Sequence, residues 1–190
     1  MIEEMKTILD KKDIRDRTLK YWAALPEDDR MALQADIYAQ LFSNEAFIQA
    51  DTITTTIAHP GEIDTKPIID YALTIGKKVY VPKTYPNRQM AFAKYQGMDA
   101  LEKTTFGIYE PTANADFIEK DAIDLMLVPG LFFRSDGYRV GHGGGFYDIF
   151  LADYPGTKIA LAFPGMVSNE VTFEIDDFDM PVDQIIVGKI

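Results

Sequence analysis

One block constrains this chain more than any other: Ile123-Asp124-Leu125-Met126-Leu127-Val128-Pro129-Gly130, and then Gly137-Tyr138-Arg139-Val140-Gly141-His142-Gly143-Gly144-Gly145-Phe146-Tyr147-Asp148. The first half is a short apolar run ended by Pro-Gly, the pattern of a strand covered on both faces. The second half sets four glycines in the five positions 141–145, beside Arg139 and His142 and just ahead of Tyr147-Asp148. Glycines allow positive φ and a close backbone approach, so such a run opening a helix can aim several N–H groups at an anion. The block therefore predicts a buried strand, a connection and a phosphate-cradling turn into a helix. Two better-known cradles fail on spacing: a dinucleotide fingerprint from Gly141 would need glycine where Phe146 stands, and no Gly-Lys-Ser/Thr follows for a P-loop. The same glycines would also serve a plain surface turn. A flanking arginine, a trailing carboxylate and a preceding buried strand favour function, because active loops of α/β sheets sit at strand ends.

A chain of 190 residues fits one domain, against the usual ~100–200 residues per domain, and 47% hydrophobic residues leave ample material for a core. Lys plus Arg is 19 and Asp plus Glu is 30, a net charge of −11, so duplex nucleic acid would meet repulsion over most of the surface. A small anion can still bind where basic residues gather. With no cysteine there is no disulfide, thiolate nucleophile or cysteine metal site. The first residues carry no basic-then-apolar signal, and no apolar run approaches the ~20 residues that span a bilayer. These features predict a soluble, cytoplasmic protein without membrane or nucleic-acid partners. Acidic charge and the absence of heptads make a monomer the expectation.

Along the chain, residues 2–24 read as a helix with apolar Ile2, Met5, Leu9, Ile14, Leu19 and Trp22. Its Lys11 and Arg15 are four apart and share one side, which could meet a phosphate chain or simply water. A second helix follows over 29–41, and Ser43-Asn44 suits a turn and cap before 45–50. Residues 52–58 are rich in β-branched side chains and read as a strand ending at His59-Pro60-Gly61. A helix with Ile68, Ile69, Ala72 and Leu73 stops at Gly76, and 78–82 is the next strand, which makes a βαβ unit. Pro86-Asn87 marks a turn, 90–95 a strand and 106–111 an irregular piece. After the glycine block come a helix over 146–153 and strands over 158–163 and 184–187, the last behind an acidic stretch. No linker or repeat divides the chain. The sum is one α/β domain over 1–190: a mostly parallel, Rossmann-like sheet flanked by helices, with a helical N-terminus.

In this order the motifs resemble the 5-formyltetrahydrofolate cyclo-ligase (methenyltetrahydrofolate synthetase) family. The resemblance rests on Lys11-Lys12-Asp13-Ile14-Arg15, Gly61-Glu62-Ile63-Asp64-Thr65, Gly76-Lys77-Lys78-Val79 with Pro82, Phe106-Gly107-Ile108 with Glu110-Pro111, and above all the 124–148 block. It implies a ligase that uses ATP and Mg2+ to close 5-formyltetrahydrofolate to 5,10-methenyltetrahydrofolate, with phosphorylation of the formyl oxygen and release of ADP and phosphate. By the same resemblance Lys11, Lys12 and Arg15 contact nucleotide phosphates, with Arg15 also near folate. Arg139, Val140, Gly141, His142, Gly143, Gly144, Gly145, Phe146 and Tyr147 form the nucleotide loop, and His142 to Phe146 also lie against folate. Glu62 and Ile57 match folate contacts, and Asp148 and Asp179 match magnesium ligands, so Arg139 and Asp148 are the expected catalytic pair. Two aspartates suffice for magnesium, which keeps water and phosphate oxygens as its other ligands.

Each assignment has a plainer counterpart. Asp148 could be an early-helix carboxylate, Asp179 one acid of an exposed tail, Glu62 a helix-start acid, Ile57 a core residue and Tyr147 a loop anchor. The chain departs from the family where His142 replaces a usual arginine and Phe146 a usual tyrosine, which removes one fixed positive charge from the loop. Two other classes fit the motifs less completely: a non-catalytic nucleotide- or phosphate-binding module, and an enzyme resembling a sugar-phosphate isomerase, which would need neither ATP nor metal.

Overall fold

In the computed structural model, which describes residues 7–190, seven strands form the central sheet. In chain order they are β1 (Thr52–Thr54), β2 (Lys78–Tyr85), β3 (Gln89–Lys94), β4 (Phe117–Ile118), β5 (Leu125–Leu127), β6 (Thr157–Ala162) and β7 (Gln184–Val187). Across the sheet the order is β7-β6-β5-β1-β2-β3-β4. The run from β7 to β2 is parallel, and β3 and β4 extend it antiparallel. The helices are α1 (Lys11–Ala24), α2 (Glu27–Phe42), α3 (Glu45–Gln49), α4 (Lys66–Thr74) and α5 (Phe146–Leu151). α4 packs on β2, α5 on β3 and α2 against β7. The mostly parallel, helix-flanked α/β architecture is the expected one.

Strand order places the site. From β1 the chain crosses by α4 to β2 on one side, whereas β5 lies on the other side of β1. The segments leaving the carboxyl ends of β1 and β5 therefore part from each other, and a crevice opens between them. All three residues of β5 are buried, as its unbroken apolar run requires.

Several boundaries differ from expectation. The first helix starts at Lys11, not at residue 2, because the Asp10 side chain accepts from Lys12 N–H at 2.7 Å and caps it. Ahead of the cap, Thr7–Ile8 pairs in parallel with Val171–Thr172; Ile2 and Met5 lie outside the described residues. β1 stops at Thr54 instead of running to 58. The Thr65 hydroxyl donates to Thr56 O (2.6 Å) and accepts from Ala58 N–H (3.1 Å), drawing that segment off the sheet. β2 continues through Pro82 to Tyr85. Its neighbours at even positions, Tyr80 O and Thr84 N–H, point away from β3, to Thr55 N–H and the Glu110 carboxylate. Pro82 faces the same way beyond the end of β1, so its missing N–H breaks no ladder. The stretch read as irregular contains a strand, Tyr109–Pro111, antiparallel to Leu101–Lys103.

Asp124 fastens the amino ends of β1 and β5. Its Oδ2 accepts from Asp51 N–H, Thr52 N–H and the Thr52 hydroxyl, each at 2.9 Å. Burial alone would raise this carboxyl, but the Thr52 and Asp51 hydrogen bonds and the nearby Lys77 charge outweigh it and hold it below the usual carboxylate range. A depressed native pKa adds stability above the unfolded carboxyl value of about 4, and that stability is lost as pH falls through the native value. Asp124→Asn is expected to lower stability at pH 7 by at most about 1 kcal/mol, since solvent screens the site. Denaturant titrations from pH 7 down to 3 should show the gap to wild type closing below about pH 4.

Candidate active site

The connection out of β5 builds the centre of the site. Beyond Gly130 the chain forms a three-stranded ribbon in which Phe132–Arg134 pairs antiparallel with Arg139–Val140 and in parallel with Val167–Ser168. A side chain at Gly130 would strike the Phe133 ring at 2.6 Å and sit 3.4 Å from Arg139 Cδ, so the absence of one lets Arg139 fold back onto the strand end. Arg139 is buried, with a side chain 5% exposed. Its Nη1 donates to Asp148 Oδ1 at 2.8 Å and its Nε to Pro129 O at 3.2 Å. Asp148 stands in the first turn of α5, and its Oδ1 also accepts from Met180 N–H at 3.1 Å. One arginine thus joins the end of β5, the glycine loop, α5 and the C-terminal segment.

Between strand and helix the loop 141–145 turns sharply, with Gly145 in the left-handed region (φ 71°) as the residue that caps α5. Arg15 reaches it from α1, where Nε donates to Gly141 O at 2.8 Å and the guanidinium lies over Gly143. Ile14, Thr18 and Trp22 bury the neighbouring face of α1, and this orients Lys11 and Arg15 toward the loop.

Asp179 and Lys11 form a second charge group. Lys11 Nζ donates to Asp179 Oδ2 at 2.7 Å and to Asp176 Oδ2 at 2.8 Å, and Asp179 Oδ2 also accepts from Asp176 N–H at 2.9 Å. Burial works to lower the Lys11 amine, yet these two carboxylates hold it above its ordinary value. The Asp179 side chain is only 8% exposed, unlike the open tail acid that its sequence context suggests. Asp148 bonds the amide next to Asp179 in the chain, and both residues line the same cleft. Asp148 Oδ2 and Asp179 Oδ1 carry no hydrogen bond among the described residues. Two hard oxygen donors beside a glycine loop are the kind of ligand that Mg2+ takes.

Glu62 lies across the crevice, beyond the end of β1. Its Oε2 accepts from His59 N–H at 2.8 Å, and its Oε1 is 3.6 Å from His142 Nε2. Tyr147 is packed so that its hydroxyl has no hydrogen-bond partner among the described residues. Burial pushes that phenol well above its ordinary value, partly offset by Arg139, so it stays protonated.

A single cleft of about 1170 Å³ runs over these groups. Lys11, Arg15, Ile57, Glu62, every residue from Arg139 to Asp148, and Asp179 all line it. Lys12 is the exception among the candidates: it pairs with Asp16 at 3.0 Å on the outer face of α1, with a side chain 77% exposed, and does not reach the cleft. One step along a helix rotates a side chain by about 100°, which separates Lys12 from Lys11 and Arg15. Val140 contributes backbone only, since its side chain is buried with Ile14, Phe132 and Phe173.

The cleft also contains residues to which the sequence reading gave no role. Glu110 is buried and accepts from Thr84 N–H and hydroxyl at 3.2 and 2.6 Å, bracing the Tyr109–Pro111 strand against β2. Phe106, 86% exposed, lines the same lip, and Arg88 extends from the β2–β3 turn. A large aromatic and an arginine in turn-forming stretches were the available signals.

Comparison with known proteins gives the family. A family model described as the 5-formyltetrahydrofolate cyclo-ligase family matches residues 7–188. The chain is 31% identical over 147 residues to the 5-formyltetrahydrofolate cyclo-ligase of Haemophilus influenzae, covering 74% of this chain and 77% of that protein. Against the Escherichia coli K12 5-formyltetrahydrofolate cyclo-ligase, identity is 24% over 169 residues, covering 86% and 92%. The NMR structure of Aquifex aeolicus 5,10-methenyltetrahydrofolate synthetase superposes with a TM-score of 0.78 at 27% identity, over 93% of this chain and 89% of that one. The chain belongs to the 5-formyltetrahydrofolate cyclo-ligase family.

Proposed function

We propose that this cleft is where the chain performs the family's ATP-dependent conversion of 5-formyltetrahydrofolate to 5,10-methenyltetrahydrofolate. The observation that carries the assignment is the convergence of a basic helix face, a glycine loop with a buried arginine, an acceptor at Glu62 and two carboxylates in one cleft. Single small-molecule pockets run to roughly 300–1,000 Å³, so about 1170 Å³ has room for a nucleotide and a folate together.

In this reading the backbone N–H groups of 141–145, with Arg139, Arg15 and Lys11, hold the phosphate chain. Glu62 accepts hydrogen bonds from the pterin's amino and ring N–H groups while the ring lies along Ile57 and the loop. The formyl oxygen attacks the γ-phosphorus and ADP leaves. The second folate nitrogen then attacks the formyl carbon, the C–O bond breaks to release phosphate, and that nitrogen gives up its proton. An amide-like oxygen is a weak nucleophile, so the work of these residues is in-line positioning and neutralisation of spreading charge. Asp148 and Asp179 would hold Mg2+, which neutralises phosphate charge when bound. Net charge −11 supports a chain without a nucleic-acid partner, and this reading takes the protein as a cytoplasmic monomer of one domain over 1–190 that needs no membrane partner.

The test is formation of the methenyl product, followed by absorbance, from 5-formyltetrahydrofolate, ATP and Mg2+. Product should require ATP, disappear with a chelator of divalent metal and return with added Mg2+. Arg139→Lys and Asp148→Asn are each expected to lower kcat by roughly 100-fold or more. Truncating either partner of this buried pair would cost about 3 kcal/mol of stability, so these charge-retaining or isosteric variants are preferred and their Tm is recorded in parallel. Full activity without metal, or in Asp148→Asn, would overturn the assignment. His142→Arg is expected to lower the KM for ATP several-fold by restoring a fixed charge to the loop. An unchanged KM for ATP would show that position 142 does not meet the phosphates.

A further inference from the structure

Arg88 occupies a position that turn chemistry reserves for other residues. The β2–β3 hairpin closes through three residues, Pro86, Asn87 and Arg88, between the paired Tyr85 and Gln89. Asn87 (φ 61°) and Arg88 (φ 60°) both adopt the left-handed conformation, and they are the only non-glycine residues among those described that do. Asparagine tolerates this region, whereas an arginine there costs on the order of 1 kcal/mol that glycine would avoid. The Arg88 side chain makes no hydrogen bond or ion pair among the described residues, so no side-chain contact offsets that cost. Its side chain instead crosses to the glycine loop: a Cβ built at Gly145 would lie 3.4 Å from Arg88 Nη1. Among the described residues the other cations beside the loop are engaged, Lys11 with Asp176 and Asp179, Arg139 with Asp148, and Arg15 with Gly141 O. A strained residue whose guanidinium lies unpaired beside an anion-directed loop marks a functional position.

We propose that Arg88 is a further nucleotide-binding residue, which closes over the glycine loop from the β2–β3 hairpin and donates to a phosphate oxygen of ATP. The proposal rests on the reading of 141–145 as the phosphate loop. It explains the left-handed arginine, since the hairpin lies beyond the end of β1 and its tip can aim a long, forked donor down at Gly145. The Arg88 guanidinium lies beside Gly145 and that of Arg15 beside Gly143, so both would reach a phosphate chain held on the loop.

The test compares Arg88→Gly and Arg88→Lys with wild type, measuring Tm, calorimetric Kd for ATP and for 5-formyltetrahydrofolate, and steady-state KM and kcat. Arg88→Gly relieves the backbone strain, so Tm should stay equal or rise. Its Kd for ATP should weaken roughly tenfold, the loss of about one charge-assisted hydrogen bond, while the folate Kd stays within twofold. Arg88→Lys should recover part of the ATP affinity. These opposite signs separate a ligand contact from a structural role, for which Tm and affinity would fall together. ATP affinity and kcat within twofold of wild type in Arg88→Gly, with wild type making product, overturn the assignment alone. A loss confined to folate affinity assigns Arg88 to the other ligand and contradicts the proposal. Wild type that does not bind ATP overturns the reading beneath it and the assignment with it.

Discussion

The Arg139–Asp148 pair is the interaction on which the site's shape depends. Its 2.8 Å bond links a two-residue strand to the first turn of α5 across the glycine loop, and the loop between them has no regular structure of its own. Arg139 also bonds Pro129 O at the end of β5, and Asp148 bonds Met180 N–H, so the sheet, the loop and the C-terminal segment share one anchor. Buried pairs are poor sources of net stability, because desolvation offsets much of the attraction. Their worth here is geometric: with both charges matched, five loop residues are fixed at both ends.

The surrounding charges follow the same logic. Lys11 rests on Asp176 and Asp179, and His142 lies 3.6 Å from Glu62. Most of the cations at the site rest on carboxylates of the chain itself. Under the proposed function such pairs would receive an anion and a divalent cation together with little change in net charge. The cost is that partners must exchange when ligands enter, which suits a loop of glycines and long basic side chains more than a rigid cage.

Much of this was legible because it is local. The unbroken apolar run of β5, the Gly-rich turn, and Lys11 and Arg15 at helical spacing each encode their structure within a few residues. Asn44 likewise caps α3, its side chain accepting from Ala46 N–H as the sequence suggested. What the sequence hid depends on pairing at a distance. The first helix begins late because Asp10 intercepts it and Thr7–Ile8 finds a partner more than 160 residues away. β1 ends early because of Thr65, and the strand at 109–111 exists only through pairing with 101–103. Lys12 sits in the same basic run as its neighbours, and only helix phase turns it outward. Arg88 is invisible in sequence for a related reason: its approach to Gly145 requires the hairpin to fold back over a loop more than fifty residues later.

In the proposed reaction one cleft brings the formyl oxygen into line with the γ-phosphate of ATP, so that oxygen leaves on phosphorus. The most direct measurement uses 5-formyltetrahydrofolate carrying 18O in the formyl group, with the released phosphate analysed for isotope by mass spectrometry or 31P NMR. Transfer of a single 18O into each phosphate, at one per methenyl product formed, is expected. Phosphate free of label, with the 18O recovered in water, would mean that ATP is split by another route and would contradict it.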